Sequence, residues 1–249
     1  MEITLDYLMK GVSVMISDNL YLPAKEYVTP FIEEMKKYTN HFVVKVNPAK
    51  EAFIHNGEVL KAFNKVWIQA ILPENENGIK VAYNMMYALD IRKPIYKFSK
   101  GYITSDRTQV ILDPKHIIIG EIKSGETIPD DFRKLFGKTA DIKCWLDSLR
   151  NTVVVDRHKL LGEMVTSAML TQIKYDEQKT MLSPSDILAA YSAVYVDTID
   201  GAPVVSKKEA SLMDFYTHIT DHICADNKDI LSVCEKTLIV NQIFMKQLC

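Results

Sequence analysis

The sequence predicts an α+β fold: a mainly antiparallel sheet in the N-terminal half packed with a helical C-terminal half. Two observations carry this. Up to about residue 122, apolar residues recur at every second position, as Val81, Tyr83, Met85 and Tyr87 do. Beyond about residue 130 the spacing becomes three and four, and two helix-start patterns appear, Ser183-Pro184-Ser185-Asp186 and Ser206-Lys207-Lys208-Glu209. The expected organisation is a β-rich half, 1–130, interrupted by one helix, and a helical half, 131–249, as two subdomains of one domain.

In chain order, the interrupting helix comes first. Thr29 is placed as its N-cap and Pro30 as its first helical residue, with Phe31, Ile32, Met35 and Tyr38 forming a stripe. Short strands are expected at 41–46 and 66–71, and Asn56-Gly57 marks a tight turn between Phe53-Ile54 and Val59-Leu60. A strand over 80–89 follows. Val110 and Leu112 before Asp113-Pro114-Lys115, and Ile117 and Ile119 after it, read as a hairpin turning at the proline. Helices are then expected over 141–149, 158–175 and 184–195. Another, opened by Ser206, would carry Leu212, Phe215, Tyr216, Ile219 and Ile223. A last helix, capped by Asp226 or Asn227, would run to about Gln247. It is apolar around much of its circumference, which calls for burial in the core or against a partner.

Composition narrows the class. The chain has 249 residues, 47% apolar and 25% charged, which is a globular balance and excludes disorder over most of the length. No apolar run approaches the ~20 residues of a bilayer span, and no basic, apolar leader opens the chain. The net charge of −2 argues against a surface that coats nucleic acid everywhere, but leaves room for a local basic patch. Cys144, Cys224, Cys234 and Cys249 show no paired spacing, a pattern that suits reduced thiols in a cytoplasmic protein.

Phosphate-loop, dinucleotide-fold, zinc-protease and nucleophile-elbow signatures are absent from the sequence, so no cofactor is implied and an enzyme is only the third reading. The segment 92–107 is the candidate nucleic-acid surface. Arg92, Lys93, Lys97, Lys100 and Arg107 would meet phosphates, while Tyr96 and Tyr102 would offer rings for unpaired bases. Its plainer reading is a strand with aromatic residues in the core and lysines outside. Asp214, His218 and His222, spaced by four on one helix, are candidate metal ligands, with a solvated polar face as the competing reading.

The stretch Ser211-Leu-Met-Asp-Phe-Tyr-Thr-His-Ile-Thr220, preceded by the Ser-, Ala- and Tyr-bearing helix at 188–195, resembles a family of phage- and plasmid-related proteins of unknown function. Members similarly end with a Leu-x-Asp-x-Tyr-x-x-x-Thr helix followed by another helix. The resemblance covers about a third of the chain, and mid-chain only Asn151-Thr152 matches, as a fragment. It implies a mobile-element origin and transfers no catalytic residue.

The leading expectation is therefore a phage- or plasmid-type, non-enzymatic accessory protein contacting nucleic acid through 92–107. The alternative is a protein-interaction or structural protein, a virion component or an inhibitor of a host protein, touching its partner or a second copy through the apolar helices at 206–248.

Overall fold

A computed structural model describes residues 1–15, 20–48, 53–55, 58–60, 62–75, 78–89, 93–104, 110–123, 126–136, 142–174, 182–226 and 229–246. The chain divides into two compact units, Met1–Lys138 and Thr139–Cys249.

The first unit begins with β1 (Glu2–Ile3), α1 (Leu5–Met9), β2 (Val12–Met15) and β3 (Leu20–Pro23), then the helix α2 (Ala24–Met35). The strands β4 (Phe42–Pro48), β5 (Phe53–His55), β6 (Glu58–Leu60), β7 (Phe63–Glu74), β8 (Ile79–Ala88), β9 (Ile95–Thr104) and β10 (Ile111–Glu121) follow, with a 3-10 turn at Asp131–Leu135. Six strands form one sheet in the order β1-β4-β7-β8-β9-β10, every neighbour antiparallel. One face of this sheet packs α2. Val44, Val46, Val66, Ile68, Met85, Tyr87, Tyr96 and Phe98 meet Tyr27, Val28, Phe31 and Met35 in a single buried cluster. Phe132 closes it, its ring centre 5.4 Å from that of Phe31 and 5.3 Å from that of Phe98.

Two expectations for this unit are corrected. The helix α2 starts at Ala24, and Pro30 lies inside it with no cap at Thr29. Ala24, Tyr27 and Val28 are buried on the same stripe as Phe31 and Met35. That apolar contact offsets the backbone hydrogen bond that Pro30 cannot donate. The proline at 114 does not turn a hairpin either: 111–121 is one strand, paired with β9 on both sides of a bulge between Leu112 and Ile117.

The second unit comprises α3 (Ile142–Asn151), α4 (Arg157–Lys174), α5 (Pro184–Tyr195), β11 (Val196–Ile199), β12 (Ala202–Val205), α6 (Leu212–Asp226) and α7 (Ile230–Lys246). The start of α5 is the expected capping box, with Ser183 and Asp186 each binding the other's backbone N–H. The start of α6 is displaced: Ser211 and Asp214 form the reciprocal pair there, at 2.7 and 3.2 Å, while 202–205 is strand. Asp229 accepts from the first turn of α7 through Leu231 N, while Asp226 is the last residue of α6 and the other expected cap, Asn227, lies outside the described residues.

The apolar girth of α7 is satisfied inside this unit. Ile230, Leu231, Cys234, Leu238, Val240, Ile243 and Phe244 are buried. The Phe244 ring sits 5.6 Å from Phe215 and 5.3 Å from Tyr216. Among the described residues, no large apolar side chain between 206 and 246 is exposed, so the apolar faces expected to meet a partner at 206–248 are packed within the protein as far as residue 246. Of the cysteines in this unit, Cys144 is exposed, Cys224 half-buried and Cys234 buried. No helix among the described residues is long and apolar enough to cross a membrane.

Candidate functional site

The expected nucleic-acid segment is divided by the pleat of β9. Side chains alternate along a strand, so Tyr96, Phe98, Lys100 and Tyr102 turn to the α2 face, while Lys97, Ser99 and Gly101 turn to the other. Lys97 and Lys100 therefore share no surface, and both are buried along with Tyr96 and Tyr102. Lys93 is exposed at the bend before β9, and Arg92 and Arg107 lie outside the described residues. Tyr96 is held as a core ring: it donates to Asp131 at 3.2 Å and lies across Gly120, where a Cβ would sit 2.2 Å from the ring.

Lys97 joins Lys45, Lys65, Trp67, Gln69, Asn84 and Ser99 on the face opposite α2, following the registers Lys45↔Trp67↔Met86↔Lys97 and Gln69↔Asn84↔Ser99. Lys45 places its ammonium 5.8 Å over the Trp67 ring. On the α2 face, Lys100 lies 5.9 Å over both Tyr83 and Tyr102. Burial pushes the Lys100 ammonium below the usual lysine range, and the Asp113 carboxylate pulls it part of the way back.

The candidate metal ligands are not brought together. Asp214 is committed to Ser211 at the start of α6, and His222 turns toward Asp186 at 3.6 Å. Among the described residues, no group of three metal-ligating side chains converges.

The least satisfied apolar surface lies elsewhere in the second unit, in a half expected to be mostly helical and where Val153-Val154-Val155 reads as a short strand or a buried entry segment. Asp200 and Gly201 both take positive φ, 51° and 78°, the pattern of a tight two-residue hairpin turn, and β11 and β12 pair across it. That Asp-Gly between two short apolar runs is the sequence signal that finds this hairpin. Five of the eleven large apolar side chains exposed among the described residues are Val153, Val155, Ile199, Val204 and Val205, and Val155 is 94% exposed.

Backbone contacts hold 152–154 beside 210–212, the stretch between the hairpin and α6. Leu212 N donates to Thr152 O at 2.9 Å, and Val154 N donates to Ala210 O at 3.3 Å. Arg157 stitches them further, donating to the carbonyls of Ser206 and Lys208 while its guanidinium stacks 5.2 Å over Tyr195. An open groove of about 450 Å³ runs between Val155, Arg157, His158 and Val205. Asp156 caps α4, accepting from Lys159 N at 2.9 Å, which accounts for a helix that otherwise opens on three basic residues. Around the groove, Lys159, Lys207 and Lys208 are exposed against Asp156 and Glu209.

No protein-family model, curated protein or solved structure matches this chain.

Proposed function

We propose that this is an accessory protein of phage or plasmid type that works in its host's cytoplasm by docking on another protein, through the platform of residues 153–155 and β11–β12. The observation that carries the reading is Val155, 94% exposed beside the exposed Val153, Val204 and Val205. Full burial of one such side chain contributes about 1.5–3 kcal/mol, and clustered apolar exposure of this kind marks interaction surfaces.

The occupant that fits is an extended segment of the partner, with alternating apolar side chains flanked by acidic ones. Among the described residues the sheet here has two strands, so its outer edges offer pairing to a further strand, as in recognition by strand addition. The charges of 156–159 and 196–209 balance, with Asp197 and Asp200 on the hairpin and Lys159 paired to Glu163 at 3.9 Å. The exposed Lys207 and Lys208 just beyond Val205, however, stand against Glu209 alone while the Asp156 carboxylate is committed to its cap, and this end favours acidic residues in the partner. The likeness of Ser211–Thr220 to the phage and plasmid family supports the mobile-element setting.

Contact with nucleic acid is the second reading. It is favoured by Lys45, Lys65 and Lys97 sharing one sheet face with Trp67, Gln69 and Asn84. It ranks second because Lys65 and Lys97 are 9% and 5% exposed, so the face would have to be uncovered first.

The test uses synthetic extended peptides in which valine alternates with aspartate or with lysine, read by fluorescence anisotropy. The aspartate series should bind, and Val155→Asp should abolish that binding without altering the thermal transition. Equal binding of the lysine series, or none of either, would remove the docking reading. An electrophoretic shift series with single- and double-stranded DNA and RNA across salt runs beside it. Salt-dependent retention that survives Val155→Asp would move the function to nucleic acid.

A further inference from the structure

The bulge in β10 builds a polar centre in the first unit, independent of the docking platform. Pairing with β9 stops at Leu112↔Gly101 and resumes at Ile117↔Ser99, so the four residues Asp113 to His116 stand opposite the single residue Lys100. A bulge re-aims side chains that a regular ladder would send to fixed faces. Here it drives the Asp113 carboxylate fully inside, with 0% of its side chain exposed, and leaves His116 at the boundary, with 15% exposed.

Three donors converge on Asp113. Lys115 N reaches Oδ1 at 2.9 Å, the Tyr102 hydroxyl reaches Oδ2 at 3.4 Å, and His116 Nδ1 lies 2.6 Å from Oδ2. A carboxylate oxygen and a bare ring nitrogen would repel at that distance, so the hydrogen sits on Nδ1 and the lone pair of the neutral ring is on Nε2. Among the described residues, His116 makes no hydrogen bond or ion pair other than the one to Asp113, and 15% of its side chain stays exposed.

We propose that His116 is a proton-accepting site, positioned by Asp113, for a water molecule or a hydroxyl-bearing ligand bound at the outer side of the bulge. The O–H proton passes to Nε2, and the imidazolium that forms is held by the Asp113 carboxylate through Nδ1–H. The ligand oxygen keeps the electron pair and becomes the nucleophile or the developing anion. Arrangements of this kind serve general-base chemistry because the buried carboxylate fixes the ring's tautomer and orientation. Asp113 is the positioning residue and touches no ligand.

The experiment is carbethoxylation of the full chain with diethyl pyrocarbonate, followed residue by residue by peptide mass spectrometry. The reagent attacks neutral imidazole, and exposed His41 and His158 serve as references in the same tube. His116 should react severalfold faster than either reference despite its smaller exposure. Asp113→Asn should bring its rate down to or below theirs while the circular dichroism spectrum is retained. Should that variant fail to fold, Tyr102→Phe, which keeps the carboxylate, should leave the fast rate in place. A His116 rate at or below the references in the wild-type chain, or a fast rate that survives in folded Asp113→Asn, would overturn the proposal.

Discussion

Tyr216 on α6 donates to Asn241 Oδ1 on α7 at 2.8 Å, and neither residue has any exposed surface. A buried acceptor that loses its donor costs about 1–3 kcal/mol, more than the bond itself contributes. Tyr216→Phe should therefore lower the unfolding free energy of the second unit by that amount, read as a lower urea midpoint with an unchanged slope. A cost of a few tenths of a kcal/mol would show that the Asn241 carbonyl finds another donor.

Gly120 and Tyr96 form a pair of opposite size. A methyl group at 120 would stand 2.2 Å from the Tyr96 ring, which is 6% exposed and cannot swing into water without opening the core. Gly120→Ala should destabilise the first unit by about 1–3 kcal/mol, the usual range for overpacking. Tyr96→Leu should relieve part of it, so a thermal-melt cycle over the two sites should give a non-additive coupling. Simple additivity would mean the strand edge yields.

Asp186 sets an acid limit on the second unit. Burial pushes its carboxyl up, but Lys236 at 2.9 Å and the hydrogen bonds from Ser183 outweigh this and hold it below the usual carboxylate range. Its contribution is thus present above the ordinary aspartate range and is lost as pH falls through the lowered folded-state value. Asp186→Asn should flatten the fall in melting temperature on the acid side and lower the melt at neutral pH, because it removes the ion pair with Lys236 while the Ser183 cap stays in place.

Lys97→Glu and Lys100→Glu should act first on stability. Both positions lie in a central strand and are 5% and 6% exposed, so each reversal buries a carboxylate in place of an ammonium. Each should lower the thermal transition clearly, whereas Lys93→Glu, at an exposed bend, should leave it within about 0.5 kcal/mol of wild type. A stable Lys97→Glu protein would mean that this face opens to water.

Local chemistry was legible in the sequence wherever the deciding partner lay within a few residues. Ser183 and Asp186 satisfy each other's backbone, so the start of α5 could be read directly. The antiparallel sheet followed from alternation in β8 for the same reason. Pro30 and Pro114 misled because distant contacts override them: the sheet buries the turns of α2 ahead of Pro30, and β9 keeps pairing with β10 past Pro114. The split of Lys97 from Lys100 was implicit in their odd spacing, but only the strand assignment makes that parity decisive. The exposure of Val155 had no local signal, because valine beside valine reads as strand or core until the neighbours are known.

Cys234, 3% exposed within α7, and Cys144, exposed on α3, make the second unit its own stopwatch. A thiol shielded from solvent reacts only during the moments when its surroundings part, so its labelling rate reports how often α7 separates from its neighbours. Cys144 supplies the rate of a thiol that needs no such opening. The ratio of the two, followed along a denaturant series, would separate local breathing of α7 from cooperative unfolding without a probe being added to the chain.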